Sequence, residues 1–340
     1  MEKVKLSDIC NPKQWKAIST SDLLNEGYPV YGANGIIGYY NEYNHENPVV
    51  TVTCRGATCG SINITVPKAY VTGNAMCLDD LRSDVEIEYL YYCLKHYDFK
   101  NIISGSAQPQ ITRQGMEKIY IMLCSQEEQK DIVKKLKKTE KIIKLTKQEL
   151  QSLDNLVKAR FVEMFGTGNY PIEKLGAVCK KITDGTHKTP TYLNEGITFI
   201  SAKNIVNGEL DFTDIKYISE IEYQEIQKRC QTAIYDILLS KSGSLGSPVI
   251  VKTEKKLGLF ESLAILKYDR KKLVPEFLCE QLKTDRIQRQ FTTGTKGVAI
   301  KHLHLGVIAD TDIIVPALDE QKEFADFVHQ VNKSKFINTI

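Results

Sequence analysis

The layout of this chain occurs twice, and that duplication limits the folds open to it more than anything else in the sequence. Near the start it reads Val4-Lys-Leu-Ser-Asp-Ile-Cys10, and 169 positions later Glu173-Lys-Leu-Gly-Ala-Val-Cys179. A second pair of matching points comes later in each half, where Ile121 to Val133 answers Ile314 to Val328. There Glu128-Gln-Lys130 meets Glu320-Gln-Lys322 at an offset of 192. The ends of the two halves agree and the middles do not, the second middle being longer by roughly 23 residues. Such a chain predicts one scaffold used twice to present two different surfaces. Its 340 residues are enough for two domains with proper cores.

Between the halves lies the most legible element. From Met116 to Phe165 there is one Gly- and Pro-free run. Ser125 and Glu128 form a capping box, Gly166 stands where a C′ residue belongs, and a helix over 126–165 would be ~60 Å long. Ile132, Leu136, Thr139, Ile143, Thr146, Leu150, Leu153 and Val157 follow heptad steps, so this helix expects a partner. The pattern restarts after Pro316, with Asp319 as the expected cap and Phe324, Val328 and Val331 continuing the seam until Lys335 breaks it. By the 192 offset a full copy would end near position 357, so some 17 residues of the second helix are absent, leaving Leu150, Leu153 and Val157 uncovered. A form like that is expected to be less stable, to self-associate through the unpaired seam, or to need other subunits.

Before each helix the sequence is β-rich. Strands are expected at Pro48–Thr53, Ser61–Val66, Ile197–Ile200, Ile234–Leu239 and Pro248–Val251, and short helices at Tyr89–Tyr97 and Pro275–Leu282. The fold class is α+β, with two pseudo-repeated β-rich domains, each feeding a helix.

The chemistry-bearing motifs are missing. There is no phosphate loop, no G-x-G-x-x-G, no amino-methyltransferase Asn/Asp-Pro-Pro-Tyr and no G-x-S-x-G elbow. His302-Leu-His304 puts two imidazoles on one face of a strand and could hold a metal. Without Cys or carboxylate at ligand spacing it reads instead as a polar face or a DNA-contacting pair. Asp79-Asp80 reads as turn or helix-start residues. The nine cysteines, none in C-x-x-C, read as reduced thiols of a cytoplasmic protein. No apolar run reaches membrane-span length. A net charge of +3 is permissive for nucleic acid without being diagnostic.

What the chain does carry is polar, Gly-punctuated loops. In the first half Arg55, Thr58, Lys68, Gln108, Gln110 and Arg113 are candidate DNA contacts. In the second they are Thr186, His187, Lys188, Lys203, Asn204, Lys241, Ser242, Lys296, Lys301 and His302. Arg and Lys pair with guanine, Asn and Gln with adenine, and hydroxyls with phosphates. Any one loop could be a solvated turn, but their recurrence in both halves favours binding. The Lys134–Lys144 run reads as a solvated helix face.

In its joined pieces the chain resembles the specificity subunit of type I restriction-modification systems. These pieces are Leu6-Ser-Asp-Ile-Cys10 and Leu175-Gly-Ala-Val-Cys179, Tyr28 to Gly38, Tyr89-Leu-Tyr-Tyr92 before Gly105 to Ile111, Pro275-Glu-Phe-Leu278, the Glu-Gln-Lys helix starts and Phe161 to Gly166. The resemblance implies target recognition domains at 1–124 and 167–317, a central helix at 125–166 and a short second helix at 318–340. The helices pair as an antiparallel coiled coil that spaces the readers. It implies double-stranded DNA, modification (methyltransferase) subunits and restriction subunits as partners. It implies no cofactor on this chain, with S-adenosylmethionine, ATP and Mg on the partners. A free-standing two-domain DNA-binding protein, or a silent allele of a specificity subunit, is the alternative.

Overall fold

The unbroken run ahead of Gly166 forms a single helix, α3, spanning Gln126–Phe165. In the computed structural model, which describes residues 1–33, 35–105, 108–292 and 302–337, the expected capping box closes. The Glu128 N–H donates to Ser125 Oγ (3.3 Å) and the Ser125 N–H to Glu128 Oε2 (3.1 Å). Gly166 ends the helix for a steric reason, since a Cβ there would lie 2.5 Å from the Val162 carbonyl oxygen. The chain forms two compact units, Met1–Lys144 and Leu145–Ile340, with the dividing point inside α3.

In the first unit β1 (Glu2–Lys5) pairs antiparallel with β11 (Tyr120–Leu123). A four-stranded antiparallel sheet runs β2 (Asn11–Gln14), β8 (Ala75–Asp79), β5 (Val50–Thr53), β6 (Ile62–Ile64). A three-stranded sheet runs β4 (Gly35–Tyr40), β3 (Tyr28–Gly32), β7 (Tyr70–Val71), with β3 and β7 parallel. A small ladder joins β9 (Ile103–Ser104) to β10 (Gln110–Ile111), and the helices before α3 are α1 (Ile87–Lys95) and α2 (Arg113–Met116). Strand alternation sorts the four-stranded sheet into two apolar faces. Val50, Val52, Met76 and Leu78 join Leu90, Leu94 and Val133 of α1 and α3 in one core. Ala75 and Cys77 meet Tyr31 and Val71 of the smaller sheet in another.

The second unit repeats this plan. β12 (Ile172–Lys174) pairs with β22 (Asp312–Ile314). The larger sheet is β13 (Cys179–Asp184), β21 (Leu263–Tyr268), β18 (Ile237–Ser240), β19 (Pro248–Ile250), and the smaller is β17 (Lys216–Ile218), β14 (Ile197–Ile200), β20 (Leu257–Leu259). The β15 (Ile205–Val206) and β16 (Glu209–Leu210) hairpin and α5 (Glu220–Arg229) are additions within it. The helices α4 (Leu175–Val178), α6 (Pro275–Lys283), α7 (Asp285–Thr292), α8 (Leu305–Ala309) and α9 (Leu318–Ile337) complete it. The middles, unlike in sequence, therefore share their sheet order, as one scaffold used twice requires. Strand pairing is a backbone property that survives replacement of the side chains, and most of the extra length lies in the added hairpin and helix.

One side chain marks the repeat. Gln129 of α3 and Gln321 of α9 are both fully buried. Gln129 accepts from the Glu86 N–H (2.8 Å) and donates to the carbonyls of Asp84 and Cys124 (both 2.9 Å). Gln321 accepts from the Val274 N–H (2.9 Å) and donates to the carbonyls of Lys272 and Pro316 (both 2.9 Å). Each therefore fastens the start of a long helix to the start of the helix beside it.

The second long helix begins at Leu318, which puts Asp319 in its first turn beside Lys322 (3.3 Å) rather than at the cap. It packs antiparallel on the end of α3: Arg160 pairs with Glu323 (2.9 Å) and Asp154 with Lys335 (2.5 Å). Phe161 and Phe165 meet Phe324 and Phe277 with ring centroids 4.9–5.7 Å apart. Val157, Val328 and Val331 are buried in the same core and Leu153 packs against it. The expectation that Leu153 and Val157 lack cover is thus corrected. Antiparallel pairing sets the first residues of α9 against the last of α3. In the first unit Ile132 and Leu136 pack on the core. Leu150, in the second, is half-buried. The large apolar side chains of α3 left exposed include Ile142, Ile143, Leu145, Leu156 and Val162.

Candidate nucleic-acid interface

At one end of each four-stranded sheet three chain segments converge. In the first unit β5 runs out at Thr53 into the loop ahead of β6, and the segment before α2 lies against it. The Ile111 N–H donates to the Cys54 carbonyl (2.9 Å) and the Gly56 N–H to that of Pro109 (3.2 Å), and Arg55 bridges to Gln110. This brings Arg55, Thr58, Gln108 and Gln110 onto one exposed surface. Arg113 stands beside it, tied to Glu117 (3.2 Å) and Asn11 (3.1 Å). Lys68 lies elsewhere, in the turn ahead of β7, 3.9 Å from Glu46 and over the Tyr43 ring.

The second unit builds the same corner. The Leu303 N–H donates to the Lys241 carbonyl (2.8 Å), as Ile111 does to Cys54. β13 ends at Asp184, whose strand partner is Ala264, just as β2 ends at Gln14 opposite Met76. Exposed His187 and Lys188, half-exposed Thr186 and Ser242, and exposed His302 gather here. The His302–His304 segment leads into α8 and is not a strand. Lys296 and Lys301 lie outside the described residues.

Two expected contacts prove to be structural. Lys241 is 8% exposed, with Nζ 2.5 Å from Asp184 Oδ2 and 3.1 Å from the Glu261 carbonyl. Asn204 is buried, and its amide caps Ser201–Asn204 by accepting from the Ser201 N–H and donating to the carbonyls of Asp211 and Asp214. A lysine in a Gly-Ser loop looks free in a sequence, and the aspartate that holds this one is far away in the chain. Lys203 remains exposed, paired with Asp214 at 2.9 Å.

Asp184 organises the corner. It bonds Lys241 and Arg229, and His187 Nε2 lies 3.3 Å away. Burial pushes its carboxyl up, but Lys241 and then Arg229 outweigh this and hold it below the usual carboxylate value. Arg229, half-exposed, was missed from sequence because it sits in the ordinary basic last turn of α5. The matching positions in the first unit, Gln14 and Cys54, are uncharged.

His45, Cys77 and Asp79, also missed, offer ligand atoms within 4.8 Å of one another. Their polar atoms are already used. His45 bonds Asn44 (2.6 Å) and Asp79 (3.0 Å), Asp79 also accepts from the Trp15 indole (3.0 Å), and burial pushes the Cys77 thiol up. The group ties a loop to β8. Asp80 is a turn residue with φ +54° that accepts from Asn11. All nine cysteines are free thiols. No helix among the described residues is long and apolar enough to cross a membrane.

The family described as the type I restriction modification DNA specificity domain matches this chain twice, at residues 1–155 and 169–340. The chain belongs to that family. The EcoBI specificity subunit of Escherichia coli is 29% identical over 140 residues, which take in 41% of this chain and 29% of the relative. The chain therefore spans under a third of that protein's length. A putative specificity subunit of Haemophilus influenzae is 22% identical over 320 residues, 90% of this chain and 80% of the relative. The fold is shared with the solved S subunit from M. genitalium (TM-score 0.62, 14% identity, 99% of this chain and 91% of that one). It is shared too with a chain from a structure of type I R-M complex assembly (TM-score 0.52, 15% identity, 99% and 91%).

Proposed function

We propose that this chain is the DNA sequence-specificity subunit of a type I restriction-modification complex. Each unit reads one part of a bipartite double-stranded target, and the chain positions adenine-methylating modification subunits and restriction subunits in the cytoplasm. It performs no catalysis, and S-adenosylmethionine, ATP and Mg belong to the partners. The observation that carries this reading is the repeated corner. One backbone frame, with matching hydrogen bonds at Cys54–Ile111 and Lys241–Leu303, presents Arg, Gln and Thr in one unit and His, Lys and Thr in the other. A frame held constant under changing polar side chains suits two readers of different DNA.

The test is to express the chain with its modification subunit and sequence the methylated bases of the host genome. A split adenine-methylated motif that disappears when this chain is deleted is the expected result. Good co-expression and co-purification with no motif would count against the proposal. DNA binding without any association with the modification subunit would favour a free-standing DNA-binding protein.

A further inference from the structure

The hairpin of β3 and β4 exposes two adjacent isoleucines near its tip, Ile36 and Ile37. Neighbouring residues in a regular strand point to opposite faces, so one of Ile36 and Ile37 should be sheltered. Both are exposed, at 50% and 42%. The register gives the cause. Tyr31 pairs with Ile36 and Val30 with Gly38, so Ile37 is the extra residue of a β-bulge. A bulge re-aims a side chain. Gly32 makes room for it, since a Cβ there would come within 2.9 Å of Ile37 Cγ2. Gly35, with φ +83°, opens β4 on this side of the hairpin.

The location gives the pair its meaning. The Thr53 hydroxyl donates to the Ala33 carbonyl, and Thr53 is the last residue of β5, directly before the Arg55–Thr58 loop. The apolar tip is therefore anchored to the polar corner. The one apolar group that DNA offers in its major groove is the thymine C5 methyl. The second unit is built differently at the matching place. After β14 its chain enters the Ser201–Asn204 turn, where Asn204 is buried and its amide is bonded internally.

We propose that Ile36 and Ile37 read a thymine, through its C5 methyl, in the half-site addressed by the first unit. This rests on the function proposed above. The experiment uses the complex of this chain with its modification subunit. Two randomised duplex libraries are selected on it and sequenced, one made with thymine and one with uracil, which lacks only the methyl group. The wild type should enrich two half-sites from the thymine library. With uracil, preference at one position of one half-site should fall about fourfold, the factor equivalent to roughly 0.8 kcal/mol per buried methyl or methylene group. The I36S/I37S variant should show the same loss with thymine and no further loss with uracil, while its thermal melt stays that of the wild type. Ile221→Ser, on the exposed face of α5 at 77% exposure, should change nothing. If both half-sites are recovered equally from the two libraries, the thymine assignment is wrong. A variant that loses the half-site while the wild type ignores uracil would mean a wedge between base steps, which also overturns it. Failure to enrich any half-site from either library would sink the specificity-subunit reading itself.

Discussion

The buried Asp184–Lys241 pair is the sharpest contrast between two corners that otherwise share a backbone. Removing one member leaves the other buried side chain without its main partner, so Asp184→Gln alone should cost about 3 kcal/mol. The first unit shows an uncharged solution at the same place, Gln14 and Cys54. Asp184→Gln combined with Lys241→Cys should therefore cost much less than the two single changes added together, as read by urea denaturation. Arg229 loses a partner in both variants, so recovery will be incomplete. Full additivity of the two changes would show the pair to be uncoupled. The pH dependence has a definite sign. The carboxyl is held below its ordinary value in the folded chain. Its contribution is therefore complete above the unfolded value of about 3.9 and is lost as pH falls through the lowered folded value. The double variant should lack this part of the acid loss.

At the scale of the element, α3 was legible to the residue because its signals are local: a capping box, no Gly or Pro inside, and a glycine forced by close approach at the end. Its partner face was only half legible. Heptad spacing found Val157, but the pattern leaves out Phe161 and Phe165, which continue from it at i+4 and form the aromatic contact with Phe324. It also missed Val133, which is buried in the same core that Ile132 and Leu136 pack against. The two-residue strands β7, β9, β10, β15 and β16 escaped sequence reading because so short a run has no alternation to detect. The energetic consequence can be measured in the isolated chain. Phe324→Ala, which empties a fully buried ring site, should lower stability by ~3–5 kcal/mol. Ile143→Ala, at an exposed seam position, should change it by no more than about 0.5 kcal/mol. Equal effects of the two in thermal denaturation would mean that the aromatic cluster does not dominate the packing of α9 on the end of α3.

At the scale of the whole molecule, the duplication was visible at its ends, where the motifs are short and fixed, and invisible in its middle, where only the sheet order is kept. The candidate loops were found by composition alone. That the segment before Arg113 lies against the Arg55 loop, and the segment before α8 against the Lys241 loop, follows from hydrogen bonds between residues more than fifty positions apart. No local pattern encodes them. Two copies of one corner, each with its own polar set, imply that the units read independently. Substituting Arg55 by Ala in the complex with the modification subunit should relax one position of one half-site by ~1–3 kcal/mol of discrimination and leave the other half-site strict. Lys188→Ala should do the reverse, relaxing only the second. The check is the methylated motif recovered by genome sequencing for each variant. A weakening spread evenly over all sequences would mark the residue as a phosphate contact, with a shallower salt dependence of binding. Relaxation of both half-sites by either single change would show that the corners do not act as separate readers.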